Sequence, residues 1–119
     1  MNKKIIAVYT YIAEVTSIPL LILGLTYVIT GYIMISSFFR EIAGLIGLEY
    51  NDALYLHTER SIRISMISLA LLHGYCGTQL VVYRYVKNVV IKNILSHTIT
   101  ILTVIIIALV TLAETLSIS

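Results

Sequence analysis

Residues 64–83, ISMISLALLHGYCGTQLVVY, form a run of twenty residues without a single Asp, Glu, Lys or Arg. Twenty helical residues rise about 30 Å, which matches the thickness of the hydrocarbon core of a bilayer. The run therefore predicts a membrane-spanning helix. His73 is its tenth residue and would lie near the midplane, where ionisable side chains are costly and usually functional.

Two further uncharged stretches, residues 17–39 and 94–113, are also long enough to cross the hydrocarbon core. Of the 119 residues in the chain, 59% are hydrophobic and 12% are charged, whereas in soluble domains about a quarter are charged. The sequence predicts an all-α integral membrane protein with three transmembrane helices in a single domain, 1–119. This leaves no room for a catalytic domain outside the membrane.

The basic residues predict the orientation of these helices. Five of the eight lie before the first span or between the second and third: Lys3, Lys4, Arg84, Lys87 and Lys92. The other connection, 40–63, holds three arginines and four acidic residues. Because basic residues favour the cytoplasmic side, the N-terminus is expected in the cytoplasm and the C-terminus outside, in a multi-pass protein of the cell membrane.

The segments around the first span are expected to lie at the membrane surface. Residues 5–18, which Glu14 interrupts, are interpreted as an interfacial lead-in, with Pro19 in the first turn of the span. Apolar residues in the 40–63 connection predict a short amphipathic helix on the outer leaflet, interrupted near Tyr50 and Asn51.

His73 is the candidate cofactor ligand. Gly77 follows one turn later, about 40° away on the helical wheel, and leaves a flat strip of backbone beside the imidazole. A planar macrocycle needs such a strip, so the pair indicates a haem b with His73 on the iron and Gly77 against the ring. Close packing of two helices at Gly74 and Gly77 is the alternative explanation.

A second axial nitrogen must lie about 4 Å from the first and therefore at nearly equal depth. By residue count, His97 is about 9–10 Å from the level of His73, and His57 is about 24 Å away. Met66 shares the helix of His73, and Met34 lies near the outer end of its span. The second ligand is therefore expected from another subunit.

The run His73-Gly-Tyr-Cys-Gly77, followed by Arg84-Tyr85-Val86-Lys87, resembles the second helix of a known family. These are the small membrane-anchor (cytochrome b) subunits of succinate:quinone oxidoreductase and fumarate reductase, or complex II. That helix carries a haem-ligating histidine, a glycine four residues later and an Asp-Tyr pair at its cytoplasmic end. The topology is similar along the whole chain, but specific residues match only across 73–87. Arg84 is a departure, because the family usually has Asp there.

The resemblance implies a role for each matching residue. His73 would be one axial ligand of a b haem, and Tyr85 would donate a hydrogen bond to a quinone carbonyl. Arg84 would lie beside the quinone or anchor a haem propionate. The implied partners are a second membrane-anchor subunit or a second copy of this chain, together with iron–sulfur and flavoprotein subunits on the cytoplasmic face. Electrons from succinate would reach the quinone pool, and the chain would not be catalytic alone.

Two other classes stay open: a small cytochrome b subunit of a different oxidoreductase, and a haem-free structural membrane subunit, such as a pilin-like or complex-assembly hairpin. The sequence lacks a Walker loop, a dinucleotide fingerprint, a Cys-x-x-Cys pair and an HExxH motif. Its net charge of +2 is explained by contacts with lipid and partner subunits, and no nucleic-acid partner is predicted.

Overall fold

The computed structural model describes residues 3–116, in which all the regular elements are helices and no strand occurs. Its five helices are α1 (Lys3–Ile35), α2 (Ser37–Leu45), α3 (Tyr50–Thr58), α4 (Arg60–Tyr85) and α5 (Val89–Leu116). Helices α1, α4 and α5 are long and apolar enough to cross a membrane. The predicted all-α class with three long apolar helices is confirmed. The ends of the predicted domain, 1–2 and 117–119, lie outside the described residues.

Helix α1 begins earlier than the sequence predicts. It is one continuous helix of 33 residues from Lys3, so the expected lead-in over 5–18 is helical and Pro19 lies inside the helix, not in its first turn. Glu14 interrupts the apolar run without breaking the helix, because glutamate has a high helix propensity. A continuous helix also leaves the fewest backbone groups unpaired in lipid.

Side chains around residue 36 end α1 and begin α2. Ser36 is the N-cap of α2, and its hydroxyl oxygen accepts a hydrogen bond from the backbone N–H of Phe39 at 3.5 Å. The guanidinium of Arg40 turns back to donate to the carbonyl oxygen of Met34 at 3.3 Å, within the last turn of α1. Helix α1 therefore ends at Ile35 and not at residue 39 as predicted.

Caps also set the start of the other two long helices. An oxygen of Glu59 accepts a hydrogen bond from the backbone N–H of Ile62 at 2.8 Å, just before α4. The side-chain oxygen of Asn88 accepts one from the N–H of Val90 at 2.9 Å, just before α5. Both helices therefore begin about one turn before the predicted spans 64–83 and 94–113. The predicted spans begin where the uncharged run begins, whereas the helices begin where a side chain caps the first backbone N–H groups.

The 40–63 connection contains two short helices. The break between them covers residues 46–49, just before the predicted interruption near Tyr50. Gly47, at φ +77°, adopts the left-handed conformation that ends α2. The N–H of Leu48 then donates to the carbonyl of Ala43 at 3.0 Å, and that of Gly47 to Gly44 at 3.1 Å. Glycine is needed here because a Cβ disfavours this conformation.

Contacts divide the chain into two compact units. The first unit contains the residues up to Glu14 and those from Leu71 onward, and the second unit contains Val15–Ala70. Within the second unit, Ile33, Ala43 and Ala53 form a small buried cluster. The two short helices therefore pack on α1 through an alanine each, and alanine permits a close approach of the backbones.

Helices α4 and α5 form an antiparallel hairpin in the first unit, joined by the three residues 86–88. Three side-chain contacts connect them in register: Lys92 with the Tyr83 ring at 5.4 Å, Ser96 with Gln79 at 2.8 Å, and Thr100 with Tyr75 at 3.3 Å. Each contact lies one helical turn further from the connection on both helices. Polar contacts therefore fix the register of this hairpin.

Gln79 is the centre of these contacts and is only 1% exposed. Its amide nitrogen donates to the carbonyl oxygen of Ser96 at 3.2 Å, and its amide oxygen accepts from the Ser96 hydroxyl at 2.8 Å. Hydrogen bonds between helices stabilise membrane proteins by about 0.6 kcal/mol on average. The buried amide is therefore satisfied by α5 and connects the two helices.

A double-mutant cycle on Gln79→Leu and Ser96→Ala tests this contact. We expect each variant to lower the free energy of unfolding in bicelles, and the pair to show a coupling energy of about 0.6 kcal/mol or more. Thr98→Ala is the matched control, because the Thr98 hydroxyl donates to the carbonyl of Ile94 in its own helix. Strictly additive effects would mean that the two side chains do not interact.

Candidate functional site at His73 and Gly77

The His73 ring is half-buried on α4 and is held by the backbone of α1. Its Nδ1 lies 3.0 Å from the carbonyl oxygen of Ala13. Because a carbonyl oxygen only accepts, Nδ1 must carry the hydrogen, and in the neutral ring the lone pair is then on Nε2. Metal-ligating histidines usually donate their other N–H to a carbonyl or carboxylate in this way, which fixes the tautomer and the ring orientation.

The space at Gly74 and Gly77 is open. A Cβ added to Gly77 or Gly74 would meet no atom within 4 Å. By contrast, a Cβ added to Gly31 would lie 3.4 Å from Cε1 of His57. Packing against the described part of this chain therefore does not account for Gly74 and Gly77, and the flat strip predicted at Gly77 faces outward.

These features fit one axial position of a haem. Among the described residues, no group of three or more His, Cys, Asp or Glu side chains could hold a metal ion. A haem needs no such group, because the macrocycle supplies the four ligands in its plane and the protein supplies only axial ligands. The oriented imidazole of His73 and the open backbone at Gly77 meet that requirement for one face.

His97 lies on a different helix from His73. It is exposed on α5, and its Nδ1 lies 2.7 Å from the carbonyl oxygen of Asn93 in the same helix. Such a contact within one turn is typical of a surface histidine. The expected supply of the second axial ligand by another subunit stays a prediction.

His57 belongs to a polar cluster in the second unit that sequence reasoning missed. Its Nδ1 lies 3.0 Å from the hydroxyl oxygen of Thr30, which is 2% exposed. That hydroxyl donates to the carbonyl of Thr26 at 2.7 Å, so Nδ1 of His57 donates to Thr30. The ring of Tyr27 lies 4.7 Å away, centroid to centroid. His57 therefore holds α3 on α1.

Sequence reasoning also missed the contribution of α1 to the His73 site. A backbone carbonyl such as that of Ala13 leaves no trace in residue types, so no sequence signal points to it. Glu14 is the next residue along α1 and therefore lies within one residue of the level of His73. The sequence analysis had instead placed Glu14 in a segment at the membrane surface.

Arg84 and Tyr85 are the last two residues of α4, and both are exposed. The Tyr85 side chain is 70% exposed, so a quinone beside it would need further walls from outside the described residues. His73 lies twelve residues earlier on the same helix, which corresponds to about 18 Å along the axis. The haem and quinone positions expected from the sequence are thus well separated on one helix.

The resemblance to complex II anchors depends on residues 73–87, and chiefly on His73, Gly77 and Tyr85. Family membership stays a prediction. Comparison of the chain with protein-family models, with curated proteins and with solved structures found no match.

Proposed function

We propose that this chain is a membrane-anchor subunit of a respiratory succinate dehydrogenase-like complex, in which His73 is one axial ligand of a b haem. The observation that carries the proposal is the 3.0 Å contact between Nδ1 of His73 and the carbonyl oxygen of Ala13. It orients the imidazole as in ligating histidines and puts the lone pair on Nε2. Gly77, one turn away, leaves room for the macrocycle.

A partner chain is part of the proposal. No described residue of α5 is buried, and α1 and α4 also keep many large apolar side chains exposed. Lipid covers such surfaces, and so do the helices of other subunits. A second membrane-anchor subunit, or a second copy of this chain, supplies the other axial ligand.

When bound, a b haem supplies reversible one-electron storage at a potential set by its axial ligands and burial. His73 holds and orients one side of that group, and Gly77 keeps the backbone close to it. Arg84 provides a guanidinium that suits a propionate or a partner carboxylate. The hydroxyl of Tyr85 donates a hydrogen bond to a quinone carbonyl and so orients the quinone for reduction.

The electron donors dock on the side of the membrane nearest the end of the chain that contains Arg84 and Lys87, which leaves the headgroup-level side chains of that end to lipid. On the proposed orientation this end faces the cytoplasm. Iron–sulfur and flavoprotein subunits there pass electrons from succinate to the quinone. This chain contributes membrane attachment, a haem ligand and one part of the quinone site.

Two alternatives differ in what they require. A cytochrome b subunit of another oxidoreductase needs His73 but not Tyr85. A haem-free structural subunit is favoured by the Gln79–Ser96 contacts, which build a stable hairpin without any cofactor. Absorbance near the Soret band distinguishes the haem-binding classes from the structural one.

His73→Ala is expected to lower the haem content of the purified complex by about tenfold or more, because one axial ligand is lost. The measurement is the Soret absorbance per mole of chain. His97→Ala is the matched control, since His97 is exposed and contacts only its own helix in the hydrogen bond described. An unchanged spectrum in His73→Ala would remove the ligand role.

Gly77→Leu separates cofactor binding from folding. A Cβ added at Gly77 meets no neighbouring atom of the described residues within 4 Å, so helicity and expression should be preserved while the haem is sterically excluded. Gly24→Leu is the control, because the space around Gly24 is equally open but it lies far along α1 from Ala13. Full haem content in Gly77→Leu would contradict the proposed position of the macrocycle.

Tyr85→Phe is expected to slow quinone reduction by roughly two- to tenfold, the effect of losing one hydrogen bond, with the haem content intact. Quinone-dependent turnover of the intact complex is the measurement. Tyr11→Phe is the control, because Tyr11 is similarly exposed, at 67%. Turnover at the normal rate would favour a different cytochrome b.

A further inference from the structure

The first unit gathers basic residues at one end. The Lys92 ammonium lies 5.4 Å from the centre of the Tyr83 ring, so Lys92 is nearly level with Arg84. Lys87 is in the three-residue connection between α4 and α5. These residues come from two helices and the connection that joins them, so the hairpin register places their charges together.

Helix α1 brings two more lysines to the same place. The contacts of Ala13 with His73 and of Tyr9 with Tyr75 show that α1 runs antiparallel to α4 in this unit. Extending that register, Lys3 and Lys4 are level with residues 81–82 of α4, about 5 Å along the axis from Arg84. We call Lys3, Lys4, Arg84, Lys87 and Lys92 the basic end.

Within the described residues of the first unit, no acidic side chain lies at the basic end. The acidic residues of the first unit are Glu14 and Glu114. Glu14 is ten residues from Lys4, or about 15 Å along α1, and Glu114 is near the other end of α5. As described, α1 and α5 also both begin at the basic end, and helix N-termini carry partial positive charge. Within the first unit, the described acidic side chains therefore lie away from the basic end.

A set of exposed apolar side chains lies within about two helical turns of the basic end, on all three helices. Its members, exposed by between 43% and 60%, are Ile5, Val8, Val81, Ile91 and Ile94. Exposed apolar side chains beneath a ring of lysines and arginine are typical of the boundary between hydrocarbon and headgroups. Tyr83 and Tyr85 lie at the same level, as expected for tyrosines at that boundary.

We infer that the basic end binds the phosphate groups of anionic phospholipids in the leaflet next to it. Each basic residue near a membrane surface contributes a favourable interaction with anionic lipid. The geometry favours lipid over an acidic protein, because the same molecule that offers a phosphate also covers the adjoining apolar surface with its acyl chains. An acidic protein at this end would leave that surface to be covered separately.

The chemistry of the residues suits a phosphodiester. The Arg84 guanidinium offers a planar fork of N–H donors for two phosphate oxygens, and the lysines offer point charges. Lys92 is directed over the Tyr83 ring and is half-buried, so less conformational freedom is lost when it binds. Phosphatidylglycerol and phosphatidylcholine differ in headgroup charge, which makes them the appropriate pair of lipids for comparison.

The test uses the full chain reconstituted in mixed bilayers, with spin-labelled phosphatidylglycerol or phosphatidylcholine. The measurement is the fraction of each lipid that the protein immobilises, expressed as a relative association constant. Lys3→Gln combined with Lys87→Gln removes two charges from the basic end and affects neither the haem nor the quinone residues. Arg60→Gln combined with Arg63→Gln removes two charges from the opposite end of α4 and is the matched control.

The protein should associate with phosphatidylglycerol several-fold more than with phosphatidylcholine. The lysine pair should remove most of this preference, so that the two lipids associate nearly equally, whereas the arginine pair should leave it unchanged. In the unaltered protein the preference for phosphatidylglycerol should also fall as the salt concentration rises. Inorganic phosphate should lower it no more than another salt at the same ionic strength. The inference would be wrong if the unaltered protein associated equally with both lipids, or if both variant pairs lost the preference for phosphatidylglycerol equally. An acidic protein partner would then be the better explanation of the basic end.

Discussion

The register of α4 against its two neighbours is the constraint on which the rest of the first unit depends. Polar contacts of Gln79 with Ser96 set that register toward α5, and the carbonyl of Ala13 sets it toward α1 through His73. A shift of one residue would rotate α4 by about 100°. It would separate all of these partners and turn His73 and Gly77 together away from their present neighbours. A few hydrogen bonds therefore determine both the site and the arrangement of charges at the basic end.

Two buried polar side chains, Gln79 and Thr30, are satisfied in different ways. Gln79 pairs with a side chain and a backbone carbonyl on the adjacent helix, whereas Thr30 donates to its own helix and accepts from His57. Both arrangements avoid the cost of an unpaired polar group in an apolar surrounding. The two histidines differ accordingly. The backbone carbonyl of Ala13 holds His73, one turn from the open space at Gly77. The hydroxyl of Thr30 contacts His57, which is packed against α1 at Gly31.

The sequence was sufficient to predict three long apolar helices, because composition and the lengths of uncharged runs report directly on them. Helix ends were less predictable, since Ser36, Glu59 and Asn88 set them through local hydrogen bonds. Within the candidate site, His73 and Gly77 were apparent from their spacing on one helix. Ala13 was not, because its contribution is a backbone atom and depends on how α1 lies along α4. The sequence did place the five basic residues on one side of the membrane, but their levels along the helices depend on that same register.

The length of α1 has a consequence for the bilayer thickness that this protein matches best. Its 33 residues measure about 50 Å, against a hydrocarbon thickness of about 30 Å. Even a tilt of 40°, the steep limit for such helices, leaves a projection of about 38 Å. Roughly seven residues must then extend into the headgroups, or the surrounding lipid must thicken locally. A bilayer with longer acyl chains would relieve this mismatch, so bilayer thickness becomes a factor in where the protein resides.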